Sequence, residues 1–291
     1  MTSRNSLLTM MTVTLMLSLA AIAQNAPKLT FKYKTIDIKS AEQTQIFGIA
    51  NSGDMVGTYI DSAGTSHGLL LSKGKATNID APNATSGTFC YNMNSKGSIV
   101  GYYIGSSGEP QGFLYKNKKF TNVGPAGTST YALGINDAGN ITGFYLDTAG
   151  LEHGFLLKGT KYTTLDAPGA TSTGAWGINN KGTISIFWVD SSGDYEGALY
   201  NGKKYTTIDV PGATQSIPHS IDTAGDVSFS WIDSASNYHG ALFSGGKYYK
   251  FDDPKAPNYT RPAGINAKHT LVGFFTATGQ SAYQGFAATY K

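Results

Sequence analysis

The chain alternates short apolar runs with turn chemistry, and the alternation itself repeats. Near the middle, Leu133-Gly-Ile135, Ile141–Leu146, Gly154–Leu157 and Tyr162–Leu165 are four apolar or alternating runs of strand length. Asn136-Asp-Ala-Gly139 and Asp147-Thr-Ala-Gly150 separate them, each with an Asx at the first turn position and a glycine at the fourth. An Asx side chain caps its own turn and glycine accepts positive φ, so this spacing predicts tight turns joining antiparallel strands. The unit closes on Asp166-Ala-Pro-Gly169, where proline stops the ladder.

The same unit begins six times, near Gly48, Asn92, Gly134, Gly177, Ser220 and Gly264, at spacings of 44, 42, 43, 43 and 44 residues. A fixed period of this size signals a repeat architecture. The second run carries an aromatic at one equivalent position in every unit: Tyr59, Tyr103, Tyr145, Trp188, Trp231 and Phe275. These are expected to plug the space between neighbouring sheets. The third run keeps Gly68, Gly112, Gly154, Gly197, Gly240 and Gly285, which we read as seats for those aromatics, because glycine weakens a strand unless something approaches it closely.

The ends decide between an open array and a ring. The last unit stops after its third run, at Gly285–Tyr290, while Phe31–Asp37 matches the fourth-run pattern of Lys204–Asp209. An orphan fourth strand at the head and a missing one at the tail predict closure, which removes exposed sheet edges. The expected fold is all-β, a six-bladed β-propeller of four-stranded blades, closed by the N-terminal strand pairing into the last blade. Residues 24–291 form this single domain. Residues 1–23, with Arg4, the apolar run Leu7–Ile22 and the small residues Ala21-Ile-Ala23, read as an export signal, so the protein is expected to be secreted or periplasmic.

Composition narrows the function classes. Charged residues make up 14% of the chain and the net charge is +3, with no dense Lys/Arg stripe, so no nucleic-acid partner is expected. No later apolar stretch is long enough to span a bilayer. The one cysteine, Cys90, has no internal disulfide partner and reads as buried filler. A monomer is expected.

The Gly-Ile-Asn-x-x-Gly-x-Ile-x-Gly-Phe/Tyr and His-Gly-Phe-Leu elements resemble the bacterial extracellular repeats called HAF repeats, over nearly all of residues 24–291. Ile186, Phe229, Ala198 and Ala241 depart from that pattern in the fourth and fifth units. The resemblance implies an exported repeat protein and supplies no catalytic residues.

Positions that repeat are scaffold, and positions that vary are where one ligand is recognised. His67, His153 and His239 precede the third run on alternate units; they lie far from the axis and read as hydrogen-bonding positions, with no metal site expected. The turn carboxylates, including Asp190 and Asp194, read as caps, since calcium needs several converging carboxylates. The segment entering the first run varies most. It would place Gln45, Tyr91, Tyr131, Trp176, His219 and Arg261 around one channel mouth, behind a Thr or Ser that recurs in every unit. Few polar groups converging among aromatics predict a binding site, for a glycan or a cell-surface partner. The alternative is an extracellular polysaccharide lyase or hydrolase in which Arg261 and His219 polarise and deprotonate a uronic acid. No catalytic residues and no cofactor are expected.

Overall fold

The computed structural model describes residues 29–291, and the expected leader, residues 1–23, lies outside them. From Phe31 to Tyr290 the chain forms six antiparallel sheets of four strands. In the third blade the strands are Thr130–Ile135, Ile141–Leu146, Glu152–Lys158 and Lys161–Leu165. The second predicted run is the observed strand end to end, and the other strands extend beyond their predicted runs. The sixth blade takes its outer strand from the head of the chain, Phe31–Ile36, which pairs along Tyr283–Tyr290 from Phe31 opposite Tyr290 to Ile36 opposite Gly285. The fold is a closed six-bladed β-propeller.

The core lies between blades. Val56 and Ile79 of the first blade pack with Cys90, Ile99, Tyr103 and Phe113 of the second. Ile208 and Val210 of the fourth pack with Ile221, Phe229 and Trp231 of the fifth. Tyr59, Tyr145 and Trp188 border the corresponding clusters, so the recurring aromatics do fill the inter-blade space. Each large side chain so buried contributes on the order of 1.5–3 kcal/mol.

The strand-three glycines serve a different neighbour from the one expected. A Cβ on Gly154 would lie 2.6 Å from the Leu165 carbonyl oxygen of its own outer strand, and 3.4 Å from the Thr173 methyl of the next blade. At Gly112 the obstacles are the Val123 carbonyl and the Thr130 methyl. All six glycines admit the outer strand of their own blade. Gly68, Gly112 and Gly154 also admit the neighbour's recurring threonine, where Gly197 meets Pro218 and Gly285 meets Ile46, and the recurring strand-two aromatics lie elsewhere. That threonine also fastens the loop between blades. Thr88, Thr173, Ser216 and Thr260 accept the backbone N–H of Ala81, Ala167, Val210 and Asp253 at 2.9–3.0 Å, and Thr44 accepts that of Ile38 at 3.3 Å. Thr130 lacks the bond because Pro125, which has no N–H, fills the equivalent position.

At the axis the six first strands crowd together. A Cβ on Gly48 would sit 2.7 Å from the Tyr91 carbonyl oxygen, on Gly177 2.8 Å from that of His219, and on Gly264 2.9 Å from that of Phe47. The Asn of Gly-Ile-Asn then ties blade to blade. Asn136 Oδ1 accepts the amides of Ala138 and Asn140, capping its own turn, while Nδ2 donates to the Asn179 carbonyl of the next blade at 3.1 Å. Asn94, Asn179 and Asn266 donate in the same way to the carbonyls of Asn136, Asp222 and Ala50. The last of these bonds crosses the closure from the sixth blade to the first.

This belt is broken where the unit carries Ala50 and where it carries Asp222. Asp222 Oδ1 still caps its turn, accepting from Gly225 and Asp226, but Oδ2 is buried with no partner in the protein. Burial holds this carboxyl above the usual carboxylate range despite those two amides. An ionised carboxylate has no hydrogen to pass to the next blade. Asp222→Asn restores the donor, and we expect it to stabilise the ring by about 1 kcal/mol, raising Tm by about 2–4 °C. Because the native acid regains a hydrogen as pH falls through its raised pKa, the gain measured by thermal denaturation should shrink in acid. An unchanged or lower Tm at neutral pH would contradict the belt's role.

Candidate functional site

In every blade the register slips within the first strand, between Ile46 and Gly48, Cys90 and Asn92, Ala132 and Gly134, Ala175 and Gly177, Pro218 and Ile221, and Pro262 and Gly264. A bulge leaves one residue out of the ladder and re-aims its side chain. The residues so freed are Phe47, Tyr91, Leu133, Trp176, His219 and Ala263. They meet in the channel. Phe47 stacks on Tyr91 with ring centres 4.5 Å apart, Tyr91 stands 6.3 Å from Trp176, and Trp176 meets His219 edge-on at 4.4 Å.

Above this plug lies a cavity of about 170 Å³. Five of the six residues expected at the mouth line it: Gln45, Tyr91, Trp176, His219 and Arg261. Tyr131 does not, because Tyr102 meets it edge-on at 4.7 Å and forms the wall in its place. Sequence reasoning missed Tyr102 and Phe274. They sit on second strands, directly opposite Phe89 and Arg261. The available signal was variation at that position, which reads Thr58, Tyr102, Phe144, Phe187, Ser230 and Phe274 around the ring. The sixth blade, where Ala263 is the smallest of the six bulge residues, lines the cavity with Arg261, Pro262, Ala263 and Phe274, and the third, which carries Leu133 at that position, contributes no lining.

The polar groups of the site are poorly matched within the protein. Trp176 Nε1, His219 Nδ1 and Arg261 Nε are all buried without a hydrogen-bond partner. His219 Nε2 is engaged with Ser230 Oγ at 2.9 Å. Burial, with the Arg261 charge adding to it, holds the His219 imidazole well below the usual histidine range, so it is neutral. Burial raises Tyr91 to about 12 although Arg261 pulls the other way. The Arg261 guanidinium is held over two rings, 5.0 Å from the centre of Tyr238 and 5.5 Å from that of Phe274. No acidic residue lines the cavity, and no ion pair among the described residues involves Arg261.

With this geometry established, known structures supply a comparison of fold. The ring is similar to the lectin of Aleuria aurantia, a fungal six-bladed β-propeller with a fucose recognition mode (TM-score 0.54, 14% identity, 87% of this chain and 93% of that one). It is also similar to the SapL1 lectin, solved with α-methyl fucoside (TM-score 0.56, 13% identity, 86% and 94%), and to AofleA from Arthrobotrys oligospora (TM-score 0.54, 12% identity, 89% and 86%). At such identities the likeness is one of fold. No protein-family model matches the chain, nor does any curated protein sequence.

The three outer histidines belong to another construction. His67 bridges Asp80 at 2.9 Å and Asp61 at 3.3 Å, His239 bridges Asp252 at 2.9 Å and Asp233 at 3.2 Å, and His153 bridges Asp166 at 3.1 Å and Asp147 at 3.4 Å. Tyr59, Tyr145 and Trp231 stack on these rings. Each histidine thus pins a hairpin turn to the end of its blade's outer strand. Asp190 Oδ1 likewise accepts the amides of Ser192 and Asp194, capping its turn. For His67 and His153, burial opposes the charge, but the paired carboxylates outweigh it and raise the pKa. Their stabilisation is complete below the unfolded value of about 6.5 and fades as pH rises through the raised folded value. Histidine side-chain NMR should therefore find the titrations of His67 and His153 displaced above the ordinary histidine value of about 6.5 and that of His219 displaced well below it. A His219 that titrates near its ordinary value would contradict the buried plug.

Proposed function

We propose that the protein is an exported glycan-binding propeller that holds one sugar unit in the mouth of its channel. The carrying observation is one aromatic-walled cavity on which Trp176, His219 and Arg261 converge, with the guanidinium as its one charged group. A charged group without an ion-pair partner in the protein gains most from a ligand that hydrogen-bonds it. The size fits a single ring, since a cavity of about 150 Å³ takes a benzene-sized molecule. A pyranose has a C–H face to lie against Tyr91 and Trp176 and a rim of hydroxyls to meet the polar groups.

Two further facts support this reading. The fold is shared with lectins whose names state fucose binding. Among the described residues no helix is long and apolar enough to cross a membrane. The leader-like residues 1–23 and the HAF-repeat motifs are our grounds for export, and the motifs alone for a bacterial source.

The lyase reading has less behind it. A base whose conjugate acid lies far below the usual histidine range is a weak acceptor of a sugar's C–H proton. Binding to a glycan panel, followed by calorimetry on the hits, tests the proposal. The Trp176→Ala, Arg261→Ala double variant should remain folded, at a lowered Tm because Trp176 packs in the plug, and lose at least tenfold in affinity. Binding unaffected by the double variant would move the site elsewhere, and turnover of a polysaccharide would replace this reading with the enzyme.

A further inference from the structure

We infer that the sugar taken by the channel-mouth pocket is acidic, a hexuronate whose carboxylate pairs with Arg261. The inference rests on the glycan-binding reading above and names its ligand class. Arginine is charged at every physiological pH, and its planar fork matches a carboxylate through two parallel hydrogen bonds. Here Arg261 borders a half-closed cavity with no acidic residue in its wall, and it has no ion-pair partner among the described residues. Its orientation is nevertheless fixed, by the rings of Tyr238 on the fifth blade and Phe274 on the sixth. A positioned cation without a counter-charge is an anion receptor, because a partly desolvated charge gains most from an opposite charge brought to it.

The other polar groups agree. Trp176 Nε1 can only donate, the Tyr91 hydroxyl keeps its proton through the accessible pH range, and neutral His219 adds no competing positive charge. A neutral hexose would leave the guanidinium unpaired. An inorganic anion would leave the apolar wall of Phe47, Tyr91 and Trp176 uncovered. A uronate answers both, with its carboxylate toward Arg261 and its ring against the aromatics. The pocket's size admits one residue, so a polysaccharide would enter by a chain end.

The test compares ligands on the unaltered protein, where folding of a variant is not at issue. Calorimetric titration with galacturonate, its methyl ester, galactose and sulfate is expected to rank galacturonate at least tenfold above the ester and above galactose, with no binding of sulfate. An oligogalacturonide with a free non-reducing end should bind at least as tightly as the monosaccharide; if it binds far more weakly, the source is the free sugar. Arg261→Gln should bring galacturonate down to the level of the ester. Arg261→Lys should recover part of the preference. Equal binding of acid, ester and galactose, lost in Trp176→Ala, overturns the acidic ligand while keeping the sugar site. Binding of sulfate as tightly as galacturonate overturns it in favour of a simple anion site. No binding of any sugar overturns both readings.

Discussion

Six backbones meet around the axis with almost no room between them, and the rest of the molecule follows from that crowding. Where one first strand passes the next, a Cβ at Gly48, Gly177 or Gly264 would strike the neighbour's carbonyl. A regular ladder would also point alternate side chains along the sheet normal, into the adjoining blade. The bulge in every first strand resolves both constraints. It lets the glycine of four blades take the close contact, with Asn92 and Ser220 at that position in the other two, and turns the residue before it into the channel. The belt of Asn94, Asn136, Asn179 and Asn266 then holds the convergent strands in place from the opposite face.

The repeat and the site are thereby separated within a few residues of sequence. Glycine, isoleucine and asparagine, which recur at the core of most units, serve the ring. Of the residues one and three places before that core, the nearer is delivered to the channel by the bulge and the farther stays in the ladder, where Gln45, Phe89 and Arg261 reach the mouth. Six such pairs, all different, make an asymmetric mouth from a symmetric frame. Ala263 leaves space, Leu133 fills it, Trp176 and Tyr91 give flat walls, and Arg261 supplies the single charge. The outer histidines show the reverse economy. Each is held by two carboxylates of its own blade and contributes to the frame alone.

The frame was legible because its causes are local and recur. Asx–x–x–Gly turns, the aromatic of strand two and the match of Phe31–Asp37 to the fourth run led to blades and closure before any coordinates. The mouth was legible only in part. The spacing placed Gln45, Tyr91, Trp176, His219 and Arg261 together, because equivalent positions in a ring face the same axis. It could not show that Tyr102 would lie across Tyr131, since that depends on how two aromatic rings settle against each other across blades. The strand-three glycines were misread for a related reason. Sequence shows that something comes close, and only packing shows that it is the outer strand's carbonyl and, at Gly68, Gly112 and Gly154, a threonine methyl.

The account stands on the bulge residues of several blades forming one ligand-contacting surface at the channel mouth. The chain has three tryptophans, and their indole N–H signals report on separate places: Trp176 in the channel, Trp188 on the second strand of the fourth blade, and Trp231 bonded to the Gly240 carbonyl at 3.1 Å. A nitrogen-edited NMR titration with galacturonate, assigned through single Trp→Phe variants, follows all three at once. The account predicts a saturable shift of the Trp176 signal with the other two unmoved. A saturable shift at Trp188 or Trp231 with Trp176 still would place the ligand between blades and contradict it.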